Sequence, residues 1–551
     1  MQSLDYISIL VFTFIILTAG LSFGARGSDM KSFFAAGGAV PWSISGLSLF
    51  MSFFSAGTFV VWGSIAYQWG FVAITIQMTM CLSGFLIGRW LAPKWKQAGV
   101  LTVAEYLTRR FGKSTQQYYT YLFLLLSLGY TGAFLYPVAK VLNVVTGMDI
   151  YWSIWMLGGM IMVYTAVGGL WAVVVTDVLQ FVILTAAVLI VLPLAFTKVG
   201  GVERFIADAP DTFFQVFNGE YTPVFIVAFI LYNTIFIGGN WAYVQRYTSV
   251  ATVQSARKVG YLFGALYLVS PFIWMVPPMV YRLIDDSLLG LDAEGAYLRM
   301  CMEVLPVGML GLMLGGMVFA TASSVNTSLN LAAAVLTNDV YKPLFPRISE
   351  RKQMKFARVA TLAFGLGTIG VACLVPLAGG IVEVVLSIGA VTGGALYGPA
   401  IWGLFSPYHT GKSILRITLI SLIVNVGFKF GLFGVLLDRS SEMLLGVLLP
   451  IVLLAVFDIY MRFQGKRPTL QNVEVLADTK EDIQSGLEQN AYGVRVIAYA
   501  LMATSVMFIV LGFLTDELAA WMIWFFGGAI LVLGVRLLKS SGMEKGALIK
   551  K

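Results

Sequence analysis

The run Ala320-Thr321-Ala322-Ser323-Ser324-Val325-Asn326-Thr327-Ser328 places hydroxyl and amide groups in the middle of a stretch, 306-337, that is otherwise strongly apolar. Hydrocarbon offers such groups no partner, so they must be paired within the protein or line a watery cavity, and a face of this kind points to an ion or solute site. Ala320, Ser323 and Ser324 stand at i, i+3 and i+4, which brings them to one face of a helix. The competing fate of the two serines is a hydrogen bond back to the i−4 carbonyl of their own helix.

Two further stretches interrupt apolar segments. Leu47-Ser48-Leu49-Phe50-Met51-Ser52-Phe53-Phe54-Ser55-Ala56-Gly57-Thr58-Phe59 is rich in small residues, with Gly57 near its centre, and Gly238-Gly239-Asn240-Trp241 breaks a second segment. Unwinding at either place would free backbone carbonyls, and paired broken helices in two halves of a chain mark the midplane site of a transporter. Close helix packing through small residues is the other reading of each break taken alone. Three segments with polar groups at mid-depth favour a site. Asp177, near one end of the segment 173-197, is an acid at membrane depth and a functional candidate; its structural alternative is a helix N-cap formed with Thr176.

These residues need elements to hold them, and composition says which. Hydrophobic residues make up 58% of 551 and charged residues 12%, with a mean hydropathy of +0.84, values that belong to a polytopic helical membrane protein. Fifteen spans are expected at 4-22, 41-68, 70-91, 116-147, 150-172, 173-197, 222-244, 259-284, 306-337, 359-376, 379-405, 414-436, 443-462, 494-514 and 518-537. Most of the 36 Lys and Arg fall in loops on the side of 89-115, 338-358 and the C-terminus. That side is therefore expected in the cytoplasm and the N-terminus outside.

The net charge of +8 follows from this asymmetry and argues for contact with anionic lipid, not nucleic acid. Cys81, Cys301 and Cys373 are too dispersed for a disulfide framework and read as small apolar side chains. Asp5 ahead of the first span, with no basic stretch before it, argues for a retained helix instead of a signal peptide. No loop is long enough for an independent domain, and 463-493, with Lys480, Glu481, Asp482 and Glu488, reads as a linker or short surface helix. The single histidine, His409, lies in a short loop, and paired acids, Ser/Lys dyads and metal clusters are missing at membrane depth. An enzyme is not expected.

The chain resembles the sodium:solute symporters, the family of sodium/sugar and sodium/sialic acid cotransporters. The resemblance rests on Phe33-Phe34-Ala35-Ala36-Gly37 with Pro41-Trp42, Thr102-Val103-Ala104-Glu105-Tyr106-Leu107 with Arg110-Phe111-Gly112, and Tyr164-Thr165-Ala166-Val167-Gly168-Gly169-Leu170-Trp171-Ala172. It continues through Thr176-Asp177-Val178-Leu179-Gln180, Asn240 with Gln245-Arg246, and Asp339-Val340-Tyr341-Lys342, and covers most of the chain.

The resemblance implies an all-α LeuT-like fold with two inverted five-helix repeats, 41-197 and 198-405. A flanking helix and loop, 1-40, and C-terminal flanking helices with a short cytoplasmic tail, 406-551, lie outside them. It implies a Na⁺ held by the carbonyls of Met51, Phe54 and Ala320 and the hydroxyls of Ser323 and Ser324. Such neutral oxygens suit a hard cation and contain no group that titrates near neutral pH, which favours Na⁺ over H⁺. A second Na⁺ in some members uses the acid at Asp177 with hydroxyls that map to Asn326 and Thr327, where Asn326 offers a carbonyl instead.

For the solute, the resemblance implies Gln77 in place of an acid that contacts sugar, Thr58 in place of a glutamine and Tyr267 in place of a lysine. Leu386 with Ser387 stands in place of another glutamine, and Asn240, Trp241 and Tyr243 form a pocket floor. The galactose contact set is thus not kept. The expected function is sodium-coupled import of a small organic solute, a sugar or sugar acid, by alternating access in the plasma or bacterial inner membrane. The expected partners are the solute, Na⁺ and the lipid bilayer, with no obligate protein partner. A carboxylate, amino acid or vitamin symporter, a membrane sensor on the same fold and a channel are the alternatives.

Overall fold

The computed structural model describes residues 1-22, 40-100, 102-164, 170-345, 347, 349-432, 434-465, 480-515 and 517-548. These residues are helical almost throughout, joined by a single isolated bridge, Val40 to Val250. Eleven helices are long and apolar enough to cross a membrane, or twelve when the bent pair Pro223–Gly239 and Trp241–Thr248 counts as one span. The remaining three expected spans correspond to shorter apolar helices, Trp42–Met51, Ile150–Met162 and Met309–Val325. The first of these is short because the chain unwinds after it, and the last belongs to a helix that continues to Val335. The Phe33 to Gly37 motif, residues 165-169 and residues 466-479 lie outside the described residues.

Both expected breaks are present, for local reasons. In the first, the helix Trp42–Met51 ends, and a π-helical turn at Thr58–Trp62 leads into Gly63–Trp69. In the second, Pro223–Gly239 and Trp241–Thr248 meet at 66°. A Cβ on Gly238 would lie 2.3 Å from Leu91 Cδ1, so a larger residue there would push the Leu91 side chain aside, and the freed Gly238 carbonyl accepts from Trp95 Nε1 at 2.7 Å. Asn240 then opens the second half-helix, its side-chain oxygen accepting from the Ala242 amide at 3.0 Å.

At one end of the bundle the 282-308 connection lies over the helices that hold the site. Glu294 is buried there; it accepts from Tyr136 Oη at 2.8 Å and from the Ile381 amide at 2.9 Å, and burial pushes its carboxyl above the usual range. Cys81, Cys301 and Cys373 are all free thiols.

Candidate functional site

At the first break the helical ladder is diverted. The Ser55 amide, which would close onto the Met51 carbonyl, donates to Thr58 Oγ1 at 3.3 Å, and the Thr58 amide, which would close onto Phe54, donates to the Ser55 carbonyl at 3.0 Å. The Ala56 amide donates across to Thr321 Oγ1 of the Met309–Val335 helix at 3.1 Å. The Met51 and Phe54 carbonyls therefore lose their i+4 donors at the point where the broken span is tied to the polar face. Carbonyls released in this way, inside a membrane-spanning segment, are available to a cation.

Thr58 itself is consumed by this arrangement. It is buried, and its hydroxyl accepts from Ser55 and donates to the Phe53 carbonyl. That hydroxyl is thus engaged within the break itself.

The two serines part company. Ser323 Oγ approaches Asp177 Oδ1 at 3.5 Å, whereas Ser324 Oγ turns back to the Ala320 carbonyl, also at 3.5 Å, the weak limit of a hydrogen bond. Asn326 and Thr327 side chains lie outside the described residues.

Asp177 is not a helix N-cap. It sits inside the helix Leu170–Lys198, buried, and receives a 2.6 Å hydrogen bond from Ser48 Oγ. Ser48 in turn accepts from Arg246 Nε at 3.0 Å, and Arg246 Nη2 lies 3.8 Å from Asp177 Oδ2. Arg246, buried on the second half of the bent span, is the partner that sequence reasoning missed. A charge at that depth requires an opposite one, which is the signal that could have paired the two.

Ser52, Asp177, Asn240, Arg246, Ser323 and Ser324 line one cavity of about 60 Å³. With ~10–15 Å³ needed per water on this measure, it has room for several waters or a partly hydrated ion. Tyr243 lines it as well, its ring packed against Phe53 at 4.9 Å.

A second cavity adjoins the first, sharing Ser52, Tyr130, Phe134 and Phe236. Gln77, Thr58 and Tyr267 all line it. The Gln77 amide and the Tyr267 hydroxyl are buried and have no hydrogen-bond partner among the described residues. Asn233 lines it too, donating to Thr79 Oγ1 at 2.9 Å with its own oxygen left over. Asn233 stands seven residues before Asn240, two turns along the same face of its span, and that spacing was the available signal. Apart from Ser55 and Tyr232, the rest of the wall is apolar, including Phe53, Trp62, Met80, Phe229 and Ile388.

Two expected contacts fall elsewhere. Trp241 stacks on Phe123 with centroids 4.6 Å apart and an interplanar angle of 4°, and lines neither cavity. Ser387 donates to Glu383 Oε1 at 2.9 Å, one turn back along its helix, and Val385 and Ile388 face the cavity instead. Asn240 is chiefly a cap, its Nδ2 donating to Tyr397 Oη at 3.2 Å.

Residues 33-419 match the sodium:solute symporter family. The chain belongs to this family. Its members are transporters, not enzymes, and the chain is a multi-pass membrane protein of that kind. It is 31% identical to the human sodium/iodide cotransporter over 74% of this chain and 66% of that protein. It is 28% identical to the zebrafish (Danio rerio) sodium-coupled monocarboxylate transporter 2, over 70% and 64% of the two chains. Identity to the sodium/glucose cotransporter of Vibrio parahaemolyticus is 27%, over 73% and 80%. The matched region spans about two thirds of the first two relatives' own length. The fold is that of a solved Na⁺-coupled sialic acid symporter, with a TM-score of 0.70 at 21% identity, covering 85% of this chain and 99% of the other.

Proposed function

We propose that the protein is a sodium-coupled symporter that moves a small organic solute by alternating access. The observation that carries this reading is the break at Ser52 to Ser55, where the Met51 and Phe54 carbonyls lose their helical donors beside a helix that presents Ser323 and Ser324. A Na⁺ held by those two carbonyls, the Ala320 carbonyl and the two serine hydroxyls would join the broken span to the Met309–Val335 helix. Asp177, with Asn326 and Thr327, would serve a second Na⁺. Each inward charge contributes ~2.3 kcal/mol per 100 mV from the membrane potential, enough to sustain a solute gradient of roughly tens-fold.

The repeats are taken as 41-197 and 198-405, with fifteen spans, the N-terminus outside and the C-terminus in the cytoplasm of a plasma or bacterial inner membrane. In this orientation the Glu294 connection covers the solute from outside, and the Asp177 cavity lies on the way in.

The solute class best suited to the second cavity is a small carboxylate with an apolar body. A sugar presents several hydroxyls, each needing a partner when desolvated, whereas on this wall the Ser52, Thr58 and Tyr130 hydroxyls are engaged with Ser48, Phe53 and Thr392, which leaves chiefly the Gln77 and Asn233 amides and the Ser55 and Tyr267 hydroxyls. An amino acid would need an anion for its ammonium group, and among the described residues no acid lines this cavity. The bound Na⁺ next door would supply the positive charge that a carboxylate requires. The similarity to a sodium-coupled monocarboxylate transporter supports this reading, and the glucose cotransporter keeps a sugar or sugar acid as the second one.

The test is uptake into proteoliposomes with an inward sodium gradient, comparing lactate, pyruvate and propionate with glucose and sialic acid. Saturable carboxylate uptake that collapses in choline or potassium medium is the expected result, and equal uptake without sodium would overturn the symport reading. Gln77→Leu is expected to raise the solute KM about tenfold or more, because a buried hydrogen bond to a charged group is worth ~1.5–3 kcal/mol. An unchanged KM in that variant would remove Gln77 from the solute site.

A further inference from the structure

Asp5, on the first helix Ser3–Leu21, is 2% exposed and its carboxylate serves two helix starts at once. Oδ2 accepts from the Gln2 amide at 2.8 Å, closing its own helix. Oδ1 accepts from the amides of Gly308 and Gly311 at 2.7 and 3.1 Å, which are among the orphan donors at the start of Met309–Val335. A carboxylate at a helix N-terminus also complements the dipole of that helix.

The two helices touch backbone to backbone along the same line. A Cβ on Gly311 would lie 2.1 Å from the Asp5 carbonyl oxygen, and a Cβ on Gly315 would lie 3.3 Å from Phe12. Further along, the rings of Phe12 and Phe319 meet edge to face at 6.1 Å. At its other end the first helix reaches a different neighbour: a Cβ on Gly20 would lie 3.8 Å from Thr176 Cγ2, on the residue beside Asp177. The first helix therefore runs from the start of the helix that carries Ser323 and Ser324 to the helix that carries Asp177.

We propose that Asp5 is a positioning residue for the ion site. By capping Met309–Val335 from outside that helix, it pins the first helix as a brace that sets how far Ser323 and Ser324 stand from Asp177. This rests on the sodium-site reading above. It also accounts for an acid buried at the edge of an apolar span, where an unpartnered carboxylate would be costly.

Asp5→Asn and Asp5→Glu in the full-length protein are compared with the unaltered protein by amide hydrogen exchange and by sodium titration of thermal stability, normalised to folded protein. Asp5→Asn is expected to speed exchange at Gly308 to Leu312 and around Ser323, and to raise the half-saturating sodium concentration about fivefold, the size of a lost cap. Asp5→Glu is expected to lie nearer the unaltered protein. Gly20→Leu disturbs the opposite end of the brace without touching the cap and is expected to shift the sodium response in the same direction, which keeps the inference open to test if Asp5→Asn fails to fold.

Unchanged exchange at 308-312 would overturn the cap. Faster exchange with an unchanged sodium response would reduce Asp5 to a structural role and overturn the brace, as would a Gly20→Leu protein with normal sodium response. An unaltered protein indifferent to sodium would instead sink the symport reading, and the brace is then judged by exchange at 320-324 in the variants, where unchanged rates overturn it.

Discussion

Replacing Ser324 by alanine is expected to raise the sodium concentration for half-maximal uptake by about tenfold, the consequence of losing one oxygen worth ~1.4 kcal/mol from the ion's shell. The side chain has little structural work to lose. Its hydroxyl reaches the Ala320 carbonyl at 3.5 Å, a contact too long to contribute much, and Ser324 lines the polar cavity. Melting temperature without sodium should therefore stay close to that of the unaltered protein, while the stabilisation produced by added sodium should shrink. Ser324→Thr, which restores a hydroxyl, is expected to recover part of the response. A sodium titration of uptake that superimposes on the unaltered curve would remove Ser324 from the ion site.

Asp177→Asn is expected to destabilise the protein itself, by about 3–5 kcal/mol, because it leaves the buried Arg246 charge without its counter-ion. The loss is cooperative: Ser48 Oγ, held between the Arg246 Nε donor and the Asp177 acceptor, loses its orientation as well. Removing both charges, as Asp177→Asn with Arg246→Gln, should recover a large share of that stability, so the two single effects will not add. The pair lines the cavity beside Ser323, so the double variant is expected to regain its fold without regaining sodium-dependent uptake. Thermal melts of the two single variants and the double variant, with uptake on the same preparations, give the cycle. Additive melting losses would show that the 3.8 Å approach carries no coupling.

Much of the site could be read from local pattern, because its signals are local. A polar run inside an apolar helix, or glycine and asparagine at the centre of a span, conflicts with a hydrocarbon setting whatever lies nearby. The Met309–Val335 polar face and the breaks near Gly57 and Gly239 stood out for that reason. Gln77 was visible as a lone amide among apolar neighbours, and it lines the second cavity with no partner of its own among the described residues. Thr58 and Ser387, which the family resemblance pointed to, have partners a few residues away, Ser55 and Phe53 for one and Glu383 for the other. Short polar side chains have that local alternative, and spacing does not say which is taken.

The amino-acid sequence by itself determined a helical membrane protein, the places where its helices must interrupt, and the helix face on which neutral oxygens gather. Hydropathy, glycine geometry and helical periodicity each act over a few residues and need no knowledge of the fold. Only the tertiary structure decided that Asp177 answers Ser48 and Arg246, that Asn233 faces the same cavity as Gln77, and that Asp5 closes a helix beginning some three hundred residues away. Those pairings join residues whose separation along the chain carries no information about distance in space; they exist because a buried polar group is stable only beside whatever partner the packing brings to it.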